Sequence, residues 1–394
     1  MLLLLGKMKK IKILYDFLSE LGGLERVMFF QAKELSKNNK VELAFSYINQ
    51  KEKSNIIKEL GLSPQIKIVQ LGGTNNQIIQ LMSSLLNPNK IKVGSDLIIS
   101  HSFMTSRMAH KNKKKNGSPY VVMLHHPPNF LYNRDIRWAN NFPRFLAYAL
   151  GFILGPILKR LDKTAVKGAD AVFVNSKYTK RRADCIYGID SLVIYPPVEK
   201  KFKIVRKENA RKALDRLGIN KKFVLLHGRI IKDKRPDLAI KAFSKIKNKE
   251  LKLVISGTID EERNIRKLIS ELGLEKRVKI IGRVSEEELI ALYNLAECFL
   301  MPAPGEDFGM TSIEAMACGC PVIAWGDNAG PEEIIQEGRN GLLAEPYNVK
   351  HFAAKIEHSL KKRWNKKKIS AFTNRFSEKQ ISQKLNLAIK KILV

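Results

Sequence analysis

Two doubly wound α/β domains in tandem are the architecture that this 394-residue sequence predicts. Three observations carry that expectation. The chain is longer than one ordinary core accommodates. Short apolar runs of strand character alternate with amphipathic stretches nearly from end to end. The alternation then restarts after the paired prolines Pro196 and Pro197. With 44% of the residues hydrophobic, there is apolar material for two interiors.

The first set of buried parallel strands is read from KIKILY (10–15), VELAFSY (41–47), DLIIS (96–100), YVVMLH (120–125) and DAVFVN (170–175). A second set follows: KFVLLHG (222–228), LKLVISG (251–257), RVKIIGR (277–283), CFLMPA (298–303) and PVIAW (321–325). Helices between them carry start signals. Pro236 and Pro331 each suit a first helical position, and Ser285 with Glu288 makes a capping box. The domains are therefore expected at 1–198 and 199–374, with a periodic segment at 375–394 predicting a last helix. Tandem sheets of this kind present the carboxyl ends of their strands to a shared central cleft, where ligands bind.

Composition narrows the chemistry. The 70 Lys and Arg against 38 Asp and Glu leave a formal charge of +32, which suits a polyanion, an anionic membrane surface or an anionic substrate. The four cysteines have neither zinc-ligand spacing nor the density of a secreted framework, so they are read as free thiols in a reducing compartment. MLLLLGKMKK places its lysines after the apolar run, the reverse of a secretory signal, and Met1 and Met8 both stand as candidate starts. FLAYALGFILGPIL (145–158) is too short and too interrupted to span a bilayer. From Lys159 to Arg182 there are eight Lys or Arg and two Asp, a composition that fits either a helix lying on an anionic bilayer or a core helix with a solvated basic end.

No GxGxxG follows a strand, and GxxxxGK[ST], HExxH and D-x-D are absent, so a bound diphosphate would be neutralised by protein cations and helix ends. HGRIIKDKRPD supplies such cations: Gly228 lets backbone approach, and Arg229 and Lys234 leave the loop after a strand. In PAPGEDFGMTSIEAMACGCPVIAW (302–325), a strand exits through a loop holding Glu306 into a helix holding Glu314. Free N–H groups from about Gly309 to Ser312 offer an anion site. The two carboxylates suit hydroxyls at opposite ends of one ligand. Thr311 to Glu314 also reads as a capping box, which would give Glu314 a purely structural role.

The Glu306–Glu314 spacing with FG between, EAMACGCPVIA, GPEEI, GGLER (22–26), HHPPNFLY (125–132), NSKYT (175–179), YPPV (195–198) and GRVSEEEL (282–289) resemble, in order, the landmarks of the retaining GT-B glycosyltransferases of family 4. The resemblance implies a GT-B fold, two Rossmann-like domains facing a central cleft, with the last helix (375–394) returning to the N-terminal domain. It implies that Arg229 and Lys234 bind the donor diphosphate, Glu306 contacts the transferred sugar and Glu314 holds the ribose hydroxyls. Backbone N–H groups of Phe308, Gly309, Met310 and Thr311 would lie along sugar and phosphate, Arg283 and Val284 would flank the base, and Gly22 and Gly23 would close over the phosphates. His125 matches the histidine beside the reacting sugar, with His126 its competitor for the inward position.

The resemblance further implies retention of configuration, no cofactor and no metal, the donor being a nucleotide-sugar co-substrate. HHPPNFLY looks like the mannosyltransferase branch, with Asn129 and Phe130 in place of Arg-Tyr, and makes GDP-mannose the expected donor, with UDP-hexoses as alternatives. The basic N-terminal half, including Lys111, Lys113, Lys114 and Lys115, fits a glycan or polyprenyl-linked acceptor at the cytoplasmic face of a membrane. A nucleic-acid-binding protein is the rival class; dispersed lysines without interleaved aromatics argue against nucleic acid as a partner.

Overall fold

The structure is a computed structural model that describes residues 8–18, 22–61, 63–71, 95–132, 149, 151–260 and 262–393. Two compact units divide the chain: Met1–Pro196 with Ile381–Val394, and Pro197–Gln380.

The first unit is a seven-stranded parallel sheet. Its strands are β1 (Lys10–Leu18), β2 (Lys40–Ile48), β3 (Lys67–Gln70), β4 (Leu97–Ser100), β5 (Tyr120–Leu124), β6 (Ala171–Val174) and β7 (Leu192–Val193), in the order β3-β2-β1-β4-β5-β6-β7. β4 and β5 are buried throughout, as strands covered by helices on both faces require. The order reverses between β1 and β4, where Leu14 pairs with Ser100. That reversal is the switch point of a doubly wound sheet.

The second unit repeats the design with six parallel strands: β8 (Phe223–His227), β9 (Lys252–Ser256), β10 (Val278–Gly282), β11 (Phe299–Met301), β12 (Val322–Trp325) and β13 (Gly341–Ala344), ordered β10-β9-β8-β11-β12-β13. Its switch point lies between β8 and β11. The core on one side of this sheet packs Val224, Leu226, Ile240, Phe243, Leu300 and Phe352. Burying one such side chain is worth about 1.5–3 kcal/mol.

All ten expected strands are present; β3, β7 and β13 were not anticipated. Each of the three ends its sheet. β3 and β7 are short and half-exposed, so no apolar run marks them. The Ser285–Glu288 capping box forms with both bonds: Ser285 N–H donates to Glu288 at 2.8 Å and Glu288 N–H to Ser285 at 3.3 Å.

The division falls at Pro196, and residues 375–380 stay with the second unit where 375 was the expected start of the returning segment. The reason is local. Val198 N–H donates to the Phe376 carbonyl at 2.8 Å, and the buried Phe376 ring packs edge-on against Phe308 at 5.5 Å. From Ile381 onward the helix Glu378–Leu393 belongs to the first unit, where Ser382 Oγ donates to the Glu34 carboxylate.

Candidate functional site

At the second unit's switch point, β8 ends at His227, whose Nδ1 lies 2.8 Å from Ser256 Oγ. Gly228 (φ +136°) follows, and Gly257 (φ +112°) leaves β9 beside it; a Cβ on Gly257 would sit 2.0 Å from the Gly228 carbonyl oxygen. Only glycine permits that approach. Arg229 is exposed. The 3₁₀ turn Lys232–Lys234 carries the chain on to Arg235, whose guanidinium forks onto Asp237 at 2.8 and 3.0 Å. Lys234 reaches across to the Glu306 carboxylate and pairs with it.

Glu306 is held by its backbone. The loop after β11 is tied by Trp325 Nε1–H to the Pro302 carbonyl (2.8 Å), Gly305 N–H to Asp327 (2.9 Å) and Gly330 N–H to the Glu306 carbonyl (2.8 Å). Gly309 (φ +92°) then starts the helix Met310–Ala317 with no side-chain cap. That corrects two expectations. Thr311 is the second helical residue and Glu314 the fifth, so the pair makes no capping box. Ser312 N–H is also taken, donating to the Gly309 carbonyl at 2.9 Å, which leaves the anion-facing donors to the residues before it.

A Cβ on Gly228 would lie 3.9 Å from Thr311 Cγ2, so the loop after β8 and the first turn of this helix line one concavity. Phe308 is buried, and only its backbone can face a ligand. Glu314 is buried and accepts from Tyr293 O–H at 3.2 Å; burial, reinforced by Glu314, pushes the Tyr293 hydroxyl well above its ordinary pKa. Arg283 follows Gly282 (φ +68°) and donates from Nε to Thr258 Oγ1 at 3.0 Å, with half-buried Val284 next to it. Gly228, Arg229, Lys234, Arg283, Val284, Glu306, Phe308 to Thr311 and Glu314 thus gather around the carboxyl ends of β8, β10 and β11.

In the first unit, His101 follows β4 and His125 follows β5. Their rings stack at 5.2 Å, His101 Nδ1 lies 3.0 Å from His125 Nε2, and His101 Nε2 lies 3.1 Å from Gln31 Oε1. Burial lowers the His101 pKa to about 3. Burial and the neighbouring imidazoles hold His125 well below the usual histidine value, so both rings are neutral near pH 7. His126 is exposed and bonds the Pro127 carbonyl at 3.1 Å; His125 is the buried one. Asp16, two residues past the Leu14–Ser100 pair, is pushed up to about 7 by desolvation and bonds Ser102. Gly22 caps the helix Gly23–Leu35, and its N–H donates to Glu25 Oε2 at 2.9 Å. The Glu25 carboxylate thus occupies a position an anion would take at that helix start.

The sequence reading missed His101, Gln31 and Tyr293. His101 carried a usable signal, because it stands directly after a strand run just as His125 does. Gln31 and Tyr293 lie within helices, where nothing local separates them from packing residues. Among the described residues, no three His, Cys, Asp or Glu side chains are grouped so as to hold a metal ion.

Two parallel α/β units, each with polar side chains at its switch point, are the halves of a GT-B fold. Residues 21–202 match the family described as Glycosyltransferase Family 4, and residues 209–379 match Glycosyl transferases group 1. With both halves matched, the chain belongs to the family 4, group 1 glycosyltransferases. Among curated proteins it is 27% identical over 210 residues to D-inositol 3-phosphate glycosyltransferase of Mycobacterium bovis and Mycobacterium tuberculosis; the match covers 51% of this chain and 43% of the relative. The chain therefore spans under half the length of those relatives. Among solved structures it resembles sucrose-phosphate synthase from Thermosynechococcus elongatus (TM-score 0.77, 18% identity, 97% of this chain and 98% of that one). It also resembles Anabaena HepE in complex with UDP (TM-score 0.75, 19% identity, 97% and 100%).

Proposed function

We propose that the protein transfers a hexosyl unit from a nucleotide sugar to a hydroxyl of a glycan acceptor, with retention and without a metal. The observation that carries this reading is the Lys234–Glu306 pair beside the uncapped start of Met310–Ala317. A donor diphosphate at the helix start takes Lys234 from Glu306, and the released carboxylate accepts from sugar hydroxyls. Arg229 and Lys234 then stabilise the charge that develops as the bond from the anomeric carbon to the phosphate oxygen breaks. The acceptor oxygen bonds that carbon on the same face, its proton passes to the leaving phosphate, and the nucleoside diphosphate departs.

The resemblance of residues 125–132 makes GDP-mannose the first donor to test. Most of that segment also has structural work: Phe130 packs edge-on against Phe103, Leu131 is buried, and Tyr132 O–H donates to Asp162 at 2.8 Å. A UDP-hexose is the second reading, favoured by HepE, which was solved with UDP and with UDP-glucose. Melting temperatures of the protein with GDP-mannose, UDP-glucose, UDP-galactose and UDP-N-acetylglucosamine, with and without Mg²⁺, separate the two. A rise with guanosine compounds alone supports mannose, and a rise with uridine compounds alone overturns it. No rise with any of them, with tight DNA binding, overturns the transferase reading.

For the acceptor we propose a lipid-linked or surface-polysaccharide glycan at the inner face of the cell membrane. The helix Gly155–Lys167 supports this, exposing Ile157 (61%) after Phe152 (91%) and Ile153 (72%), with Arg160, Lys163 and Lys167 also exposed. Residues 145–148 and 150 of the apolar stretch lie outside the described residues. Part of the nearby basic charge is neutralised internally, Lys113 by Asp170 and Lys180 by Asp184 and Asp190. No helix among the described residues is long and apolar enough to cross a membrane. Flotation with anionic vesicles but not zwitterionic ones is the expected result; equal recovery with both would remove the electrostatic part of the proposal.

A further inference from the structure

We propose that His101 is a positioning residue that holds His125 as its Nε2–H tautomer, so that His125 Nδ1 presents a lone pair to a substrate hydroxyl. The inference rests on the proposed transferase reading for its consequence, and on the hydrogen-bond geometry and burial of the two rings for the tautomer.

The proton order can be followed outward from Gln31. With the amide oriented so that its Oε1, an acceptor only, faces His101 Nε2 at 3.1 Å, that nitrogen carries the hydrogen. His101 is neutral, which makes its Nδ1 an acceptor. The atom 3.0 Å away, His125 Nε2, must then be the donor, and the neutral His125 ring has its lone pair on Nδ1. Nδ1 has no hydrogen-bond partner among the described residues. Each ring follows the end of an adjacent strand, β4 or β5, and His101 is further pinned by its own N–H to the Leu14 carbonyl at 3.0 Å. The relay is buried at Gln31 and His101; its order is set by the orientation of the Gln31 amide, whose Nε2 has no partner and which, turned over, would reverse it. A free lone pair on Nδ1 can accept from a sugar or acceptor hydroxyl; the opposite tautomer would donate instead.

The chain has seven histidines, so selective ¹⁵N-histidine labelling of the full-length protein resolves them individually, with His125→Gln assigning the His125 signals. Long-range proton–nitrogen spectra are expected to show His125 protonated at Nε2 and bare at Nδ1. His125 protonated at Nδ1 would overturn the proposal, whatever the enzyme's activity. His101→Phe removes the acceptor and is expected to abolish the single tautomer and lower kcat ~10-fold or more, with donor KM changed less than about twofold. His101→Gln supplies an acceptor for His125 and a donor for Gln31, and is expected to restore both tautomer and kcat. Unchanged His125 signals in His101→Phe would also overturn it; if that variant does not fold, failure of His101→Gln to keep the Nε2–H form has the same force. A correct tautomer in a protein that transfers no hexose would leave the proton order standing and sink the transferase reading instead.

Discussion

The two switch points are built on the same backbone plan and carry opposite chemistry. Between β1 and β4 the side chains are largely withdrawn from water, and burial disfavours their charge: His101 and His125 are neutral and Asp16 is pushed up to about 7. Between β8 and β11 the side chains stay part-exposed and ionic, with side-chain exposures of 38% for Lys234 and 17% for Glu306. The difference teaches that strand order fixes where a ligand can bind, while solvent access decides what kind. A pyrophosphate needs permanent cations, and these survive only where water still reaches them. A hydroxyl needs a directed lone pair, which a neutral buried imidazole supplies.

The comparison breaks first at the ion pair. Glu306→Gln and Lys234→Ala are each expected to lower kcat/KM by ~10²–10³ while the melting temperature moves little, because a part-exposed pair contributes at most about 1 kcal/mol to stability. Steady-state kinetics and calorimetry on one preparation check both halves; an unaltered rate would remove the ionic site from the mechanism.

The buried acid Asp162 sharpens the contrast from the first unit. It accepts from Tyr132 and Tyr187 hydroxyls at 2.8 and 2.7 Å, and desolvation raises it from 3.8 to about 6. A carboxyl raised in the folded state contributes stability that is full below about pH 4 and lost as pH rises through about 6. Asp162→Asn keeps an acceptor for both tyrosines and cannot ionise. It should therefore gain on the wild type between pH 4 and 7, by up to about 3 kcal/mol, as read by denaturation at several pH values. Parallel pH profiles would show that the site is more hydrated than its contacts imply.

A smaller effect is expected at Glu314, which combines burial with proximity to the proposed donor site. Glu314→Gln retains an acceptor for Tyr293, so the fold should persist while donor KM rises ~10-fold from loss of a charged acceptor. Tyr293→Phe should raise donor KM less, by about threefold, through a loosened Glu314 carboxylate. Equal effects from both would move the role from the carboxylate to its orientation.

Much of this was legible along the chain. Nine of the ten expected strands are interior and announce themselves because a strand buried on both faces is apolar; the tenth, β10, ends its sheet half-exposed and is legible from Val278, Ile280 and Ile281. Gly228, Arg229, Lys234 and Glu306 are legible because they occupy the residues just past such strands. The edge strands β3 and β7 were not, since half-exposed strands have no unbroken apolar run. The capping-box alternative for Glu314 failed because Gly309, in the left-handed region, starts the helix earlier than the polar residues suggest.

The sequence by itself determined the fold class, the two units and the placing of Gly228, Arg229, Lys234 and Glu306 just past strand ends, because strand burial and loop position are properties of consecutive residues. Only the tertiary structure decided that Lys234 and Glu306 neutralise each other, that Tyr293 holds Glu314, and that Gln31 and His101 stand behind His125. Those partners are 72, 21, 70 and 24 residues apart. Hydrogen bonds act over about 3 Å of space, and no spacing along a chain encodes which distant side chains the sheet order will bring that close.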